Sequence, residues 1–187
     1  MSYESLQQLA SAIRDRRTIK IFEQRAVDHN IIRDAIEVAR WAPNHHLTEP
    51  WHFYLLNDDA IKNSIDLIRI IVTEKKGEEI GSFKAKDAKK RPGWLVVTCK
   101  KSEDELTQQE DYASVCCAIQ NFSLYLSEAK LASKWATGSI IRDQRYYDLL
   151  KIDNNNEFIV GLIWYGYPKI LPKQNRKEIA EIITYID

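Results

Sequence analysis

Glycine is scarce in this chain, and its glycines form no phosphate-binding loop. Six glycines are scattered over 187 residues. They match neither the G-x-G-x-x-G turn of dinucleotide-binding folds nor the G-x-x-x-x-G-K-[ST] loop of nucleoside triphosphatases. We therefore expect any phosphorylated ligand to be bound mainly by side chains.

The chain also lacks an excess of charge of either sign. Lysine plus arginine and aspartate plus glutamate each number 27, so the formal net charge is +0. A nucleic-acid-binding domain normally carries a cationic excess on one face. We therefore predict no nucleic-acid partner.

Long apolar runs are missing as well. No run approaches the ~20 residues that a membrane-spanning helix needs. The first residues, Met1-Ser2-Tyr3-Glu4, lack the basic start and the apolar stretch of a secretion signal. We expect a cytoplasmic protein that has no contact with a membrane.

The cysteines and histidines offer no pattern of metal ligands. Cys99, Cys116 and Cys117 are odd in number and lack C-x-x-C spacing, which indicates neither a disulfide framework nor a zinc site. Small buried hydrophobic side chains are the expected role for them. The neighbouring His45 and His46 have no acidic residue at the spacing of H-E-x-x-H, so no metal is predicted.

Apolar residues at helical spacing predict several helices. Leu6 and Ile13 mark the inner face of the first one. Asp28 is a good N-cap for the second. The longest pattern extends from Tyr112 to Ala129, and its apolar face predicts a central core helix or part of a subunit interface. The basic stretch at 82–90 is read as a solvated helix, with a surface lid as the alternative.

Strand-like runs alternate with these helices. Apolar residues predict strands at 51–56, 94–99 and 158–165, and residues 182–186 alternate in the tail like an added strand. The pattern indicates one domain over residues 1–187, of the α+β class, with a small, mostly antiparallel central sheet wrapped by helices.

Arg16, Arg17 and Thr18, together with Lys20, form the best candidate for a phosphate site. Arginine presents a planar fork that matches phosphate oxygens, and a threonine hydroxyl adds a further donor. Two arginines at a helix end also have a simpler interpretation, because cations there interact favourably with the helix dipole. The cluster alone leaves both interpretations open.

Ordered blocks along the chain resemble the nitroreductase family. RRTIKIF at 16–22 and APNHHLTEPWHF at 42–53 are similar to the family's Arg-Arg-Ser-x-Arg/Lys-x-Phe block and to its Ala-Pro-Ser and Gln-Pro-Trp segments. WATG at 135–138, Gly161, and GYP at 166–168 followed by a basic tail fit its C-terminal half. The resemblance covers almost the whole chain, and its specificity comes from the order of the blocks.

This resemblance implies an FMN site. Arg16, Arg17 and Thr18 match the segment that holds the FMN phosphate and ribityl chain, and Lys20 matches a basic position near the flavin N1–C2=O edge. A third block would lie with its backbone against the isoalloxazine near N5, and it consists of Trp135, Ala136, Thr137 and Gly138. Further phosphate contacts would come from Lys173 or Arg176.

The resemblance also implies a homodimer. Pro43, Asn44 and His45 match a loop that reaches the flavin from the partner subunit, and Trp41, just before that loop, is expected to contact the cofactor. The implied fold has a C-terminal extension exchanged across the dimer. Glu49 departs from the family's usual glutamine, and Ala136 stands where relatives can carry a charged residue.

The implied activity is a ping-pong oxidoreductase cycle. NADH or NADPH would reduce FMN, and a nitroaromatic or quinone would accept the electrons as the small-molecule partner. Because the flavin does the redox chemistry, no amino-acid catalyst is predicted. The sequence leaves open a related dehalogenase or dehydrogenase, and also a non-catalytic flavin-binding or regulatory protein on the same fold.

Overall fold

The computed structural model describes residues 3–186, in which six α-helices surround one four-stranded sheet. The helices are α1 (Tyr3–Asp15), α2 (His29–Ala39), α3 (Asp58–Lys76), α4 (Glu78–Ala88), α5 (Glu105–Glu128) and α6 (Gln144–Leu150). The strands are β1 (Trp51–Leu55), β2 (Gly93–Lys100), β3 (Ala132–Ala136) and β4 (Glu157–Gly166). None of the helices within residues 3–186 is both long and apolar enough to cross a bilayer.

The sheet is antiparallel throughout and has β3 at one edge. Its order is β1-β2-β4-β3, and β2 and β4 form its fully paired centre. Beside β3, Thr18 forms a parallel bridge to Ser133, and the backbone N–H of Ile19 donates to the carbonyl of Ser133 at 3.1 Å. The candidate phosphate segment therefore lies directly along the outer edge of β3.

Alternating strand residues separate two apolar layers, as the pleat of a sheet requires. On one face, Leu95 and Val97 of β2 pack with α2 and α5. On the other face, Trp94 and Val96 pack with α3 and α6. Helices therefore cover both faces of the sheet, and the candidate site lies at the β3 edge between these two layers.

Local signals in the sequence predicted several elements correctly. The Asp28 carboxylate accepts a hydrogen bond from the N–H of Asn30 at 2.9 Å, so its N-cap role is confirmed. The long pattern forms α5, whose buried residues include Val115 and Phe122. The basic stretch at 82–90 lies largely within α4, as the solvated-helix interpretation predicted.

Two expectations differ from the structure. The apolar side of α1 is not an inner face within this chain, because Leu6 and Ile13 remain 49% and 50% exposed. Apart from α5, no helix or strand of the described chain packs closely on α1. The tail at 182–186 forms no strand within the described chain. It lies exposed after a single helical turn at Ile179–Glu181.

Candidate functional site

Arg16 and Arg17 follow the end of α1 and line a cleft of about 290 Å³, which we call the arginine cleft. Its other walls are the C-terminal end of α5 and the start of β3. Ser127 and Ser133 contribute from those two elements, and Leu171 closes it from the tail. The cleft therefore presents arginine side chains and small polar residues to one space.

The arginine cleft gathers cations that form no ion pair, although the acidic residues Asp15 and Glu128 also line it. Burial, and then the charges of Arg17 and Arg176, lower the pKa of the Arg16 guanidinium. The Nε of Arg16 is buried without a hydrogen-bond partner. No ion pair within residues 3–186 includes any of these three arginines. A phosphate would supply the missing acceptor and relieve the repulsion, so the residues fit the phosphate of FMN.

Arg17 has a structural role beside the cleft. Its guanidinium donates to the backbone carbonyls of Arg14 and Arg16, and its Nε donates to the carbonyl of Pro172 at 3.2 Å. These bonds hold the tail against the end of α1. The tail in turn places Arg176 close enough to act on Arg16, whereas Lys173 does not contribute to that pKa shift. Neither of the two predicted tail cations is among the residues that line the arginine cleft.

A second cleft of about 350 Å³, which we call the lysine cleft, lies farther along β3. Ala136 and Gly138 line it, as do Lys84 of α4 and Lys134 of β3. Its apolar wall includes Ile71 of α3, Leu162 and Trp164. The cleft combines an apolar surface, suited to a planar ring, with lysine side chains.

The two clefts follow one another along a single strand. Ala132 lines the arginine cleft and Ala136 lines the lysine cleft, and four strand residues span about 13 Å. The exposed Thr18 lies beside Ser133, between the two. Lys20 does not line the lysine cleft, but its charge contributes to lowering the pKa of Lys134. The arginine cleft lies on the α5 side of the sheet and the lysine cleft on the α3 side, so an elongated ligand with an anion at one end and a ring at the other would reach both around the outer edge of β3.

The Trp135 ring packs against β4 rather than into either cleft. Its indole Nε1 donates to the carbonyl of Val160 at 3.2 Å, and the ring occupies the space where a side chain on Gly161 would stand. The indole lines neither cleft. The next residue, Thr137, is exposed, and its carbonyl accepts from Arg142 at 2.7 Å.

The predicted partner loop is held by a polar network. The Asn44 side chain accepts from the N–H of Glu49 at 2.7 Å and donates to Thr48 at 3.0 Å. The Thr48 hydroxyl donates to the buried carboxylate of Asp111 on α5. His46, Leu47 and Glu49 have φ values of 58°, 52° and 44°, a left-handed backbone that costs energy in non-glycine residues. The network keeps the loop in this strained shape.

The outer residues of this loop remain open to solvent. Pro43 and His45 are exposed, and Trp41 is 72% exposed. The His45 ring lies 2.8 Å from a carboxylate oxygen of Glu110. No group of three histidine, cysteine or acidic side chains in the described chain could hold a metal ion. The loop therefore presents a histidine and aromatic surface outward.

The structure does not bring this loop to the two clefts within one chain. Asn44 contacts Ser114 of α5, with 3.4 Å between Nδ2 and the hydroxyl oxygen. The first residue of α5 that lines the arginine cleft is Ser123, nine positions farther along the same helix. At 1.5 Å per residue these points are roughly 14 Å apart. A single subunit thus contains two separate parts of the predicted site.

Lys84 and Lys134 of the lysine cleft were not among the predicted site residues. Lys84 belongs to a stretch interpreted from sequence as a solvated helix. Lys134 precedes a segment that was not assigned as a strand, so the face on which it lies could not be derived. Lys134 lies two residues from both Ala132 and Ala136, and every second residue of a strand lies on the same face. Recognising the short β3 strand would therefore have indicated that these three residues share one face.

Known proteins similar to this chain share its family and fold. The Bacillus subtilis (strain 168) protein YfhC, provisionally named an NAD(P)H nitroreductase, is 29% identical over 173 residues, which cover 90% of this chain and 89% of YfhC. A nitroreductase-like family protein from Bacillus cereus has a similar structure, with a TM-score of 0.88, 27% identity and 96% of each chain covered.

A more distant structure extends the likeness of fold. It is a Desulfovibrio desulfuricans protein, provisionally described as a nitroreductase and solved in complex with FMN, with a TM-score of 0.78 and 19% identity. The match covers 100% of this chain and 99% of that one. The model of the nitroreductase family matches residues 13–167. The chain therefore belongs to the nitroreductase family.

Proposed function

We propose that the chain binds FMN along the outer edge of β3 and passes electrons from NADH or NADPH to a nitroaromatic or quinone. The observation that carries this proposal is the buried, unpartnered Nε of Arg16 in the arginine cleft, with a lysine-lined apolar cleft farther along the same strand. The FMN in the Desulfovibrio protein and the NAD(P)H in the name of YfhC support it.

Each part of the site has a distinct task in this proposal. Arg16 and Arg176 bind the phosphate, and the Thr18 hydroxyl adds a donor beside the ribityl chain. Lys20 stabilises negative charge at the ring's N1–C2=O edge. FMN, when bound, supplies the hydride and electron chemistry. The small Ala136 leaves the β3 backbone accessible to the ring.

The cofactor and its reduction are tested on the purified protein. We expect heat to release FMN rather than FAD, because the arginine cleft offers cations for one terminal phosphate and no glycine turn for a pyrophosphate. NADH or NADPH added without oxygen should bleach the bound flavin, as absorbance would show. Release of FAD, or no binding of FMN, contradicts the site. Bound FMN that neither nicotinamide bleaches contradicts the enzyme and favours a flavin-binding role.

Steady-state kinetics tests the order of the cycle. If one ring face serves the nicotinamide and then the acceptor, the two do not bind productively together. Initial rates with NAD(P)H and a quinone should then give parallel double-reciprocal lines, as ping-pong kinetics requires. Intersecting lines would rule out the shared face.

A homodimer accounts for features that a single chain leaves unpartnered. The apolar side of α1, the outer residues of the loop with Asn44 and the tail at 182–186 are all exposed within residues 3–186. We propose that the loop completes the partner's FMN site and that the tail crosses to the partner. Sedimentation at low micromolar concentration should give twice the 21.8 kDa of the chain. A stable monomer that retains FMN would contradict this arrangement.

A further inference from the structure

We propose that Lys134 is a second cation, beside Lys20, that faces the ring of the bound FMN and raises its affinity for electrons. The inference rests on the proposed function, because it requires the ring to occupy the lysine cleft. It adds Lys134 of β3 to the site. The effect assigned to Lys134 is on the affinity of FMN for electrons rather than on the binding of FMN.

The strand fixes the direction of the Lys134 side chain. Lys134 lies between Ala132 and Ala136 on β3 and pairs with Trp164 of β4. Its ammonium group is 4.8 Å from the centroid of the Trp164 ring, within the range of a cation–π contact. The side chain is half-buried and lines the lysine cleft. Lys134 is therefore held at the ring site rather than extended into solvent.

The lysine cleft contains cations without a matching anion. Asp87 is the one acidic residue among the described residues that line it, and its carboxylate is already paired with Arg91 at 2.7 Å. No ion pair within residues 3–186 includes Lys20, Lys84 or Lys134. The cleft therefore has positive charge available for a ligand.

Burial and neighbouring cations destabilise the charged form of Lys134. Burial is the largest cause lowering the pKa of Lys134, and Arg91 is the next. Lys20 and Lys84 lower it further, while Asp87 opposes them. An anionic group in the cleft would stabilise this set of cations, and the cations would stabilise the anion equally.

Reduced flavin is such an anionic group, because it carries negative charge around N1. Oxidised flavin has a neutral ring, so a cation at this position favours the reduced form. Lys20 approaches from the chain after α1, and Lys134 approaches from β3. Two cations from different elements should stabilise the reduced ring more than Lys20 alone.

The test uses FMN-loaded protein and does not depend on turnover. Sulfite donates its electron pair to flavin N5, and the negative charge moves to the N1 edge, so sulfite affinity reports the cations there. We expect Lys134→Met to weaken sulfite binding about tenfold, which corresponds to a fall of about 30 mV in a two-electron potential. Absorbance titration with sulfite and redox titration with dyes measure the two quantities.

Two matched variants separate charge from packing. Lys134→Arg keeps the cation and should retain most of the sulfite affinity. Lys86→Met removes an exposed lysine of α4 that lines neither cleft, and it should leave the sulfite affinity unchanged. An equal loss in Lys134→Met and Lys134→Arg would show that packing, not charge, matters at this position, and would overturn the inference.

The inference can fail while the proposed function stands. Wild-type protein that binds FMN and is bleached by NAD(P)H, together with an unchanged sulfite affinity in Lys134→Met, would overturn the inference alone. Wild-type protein that binds no FMN would overturn both.

Discussion

Replacing Arg16 by alanine is expected to weaken FMN binding by about tenfold to a hundredfold. A hydrogen bond to a charged group contributes about 1.5–3 kcal/mol, and Arg16 presents a buried, unpartnered Nε to the arginine cleft. Titration of the apoprotein with FMN, followed by the quenching of flavin fluorescence, measures the affinity. The FMN affinity of Arg16→Lys should lie between those of the wild type and Arg16→Ala, because lysine keeps the charge but lacks the planar guanidinium fork.

Arg14→Ala is the matched control for this experiment. Arg14 is exposed in the last turn of α1 and lines neither cleft, and its interaction with Arg17 uses its backbone carbonyl. Its removal should leave FMN affinity nearly unchanged. The apoprotein of Arg16→Ala should be no less stable than wild type, because the substitution removes repulsion with Arg17 and Arg176. Equal FMN affinities for the two alanine variants would refute the role of Arg16.

Replacing Trp94 by alanine should lower the free energy of unfolding of the apoprotein by about 3–5 kcal/mol. Trp94 is fully buried in the layer below the lysine cleft. Its ring packs edge-on against Trp164, with 5.6 Å between ring centroids, and its Nε1 donates to the carbonyl of Arg91 at 3.2 Å. The substitution leaves a cavity and removes a contact of the cleft wall. Urea denaturation of both proteins measures the difference.

Trp41→Ala removes the same type of side chain from an exposed position. Trp41 is 72% exposed, and a surface substitution of this kind usually changes stability by less than about 0.5 kcal/mol. The comparison separates the burial of Trp94 from any general effect of losing an indole. A loss below about 1 kcal/mol in Trp94→Ala would show that the layer repacks around the missing ring.

The elements that sequence predicted well depend on local chemistry. Asp28 caps α2 through its own side chain, and the apolar period of α5 coincides with its buried face. Such signals act within a few residues and need no knowledge of the fold. The block at 16–22 was also recognisable, and the structure places its Thr18 and Ile19 beside Ser133 of β3.

The parts that could not be predicted depend on distant partners. The direction of the Trp135 indole follows from the pairing of β3 with β4 and from the space above Gly161. The exposure of Leu6 on α1 reflects the absence of a covering element within the described chain. The role proposed for Lys134 depends on its position in edge strand β3, where it lines the same cleft as Lys84 of α4. Periodicity contains none of this information.

The roughly 14 Å along α5 between the Asn44 loop and the arginine cleft has a thermodynamic consequence. If two chains must meet to enclose one cofactor, binding of the cofactor and association of the chains are linked equilibria. FMN would then tighten the dimer by the same factor by which dimerisation tightens FMN. Dilution would release flavin from the protein, and a shortage of flavin in the cell would leave the chains more readily separated.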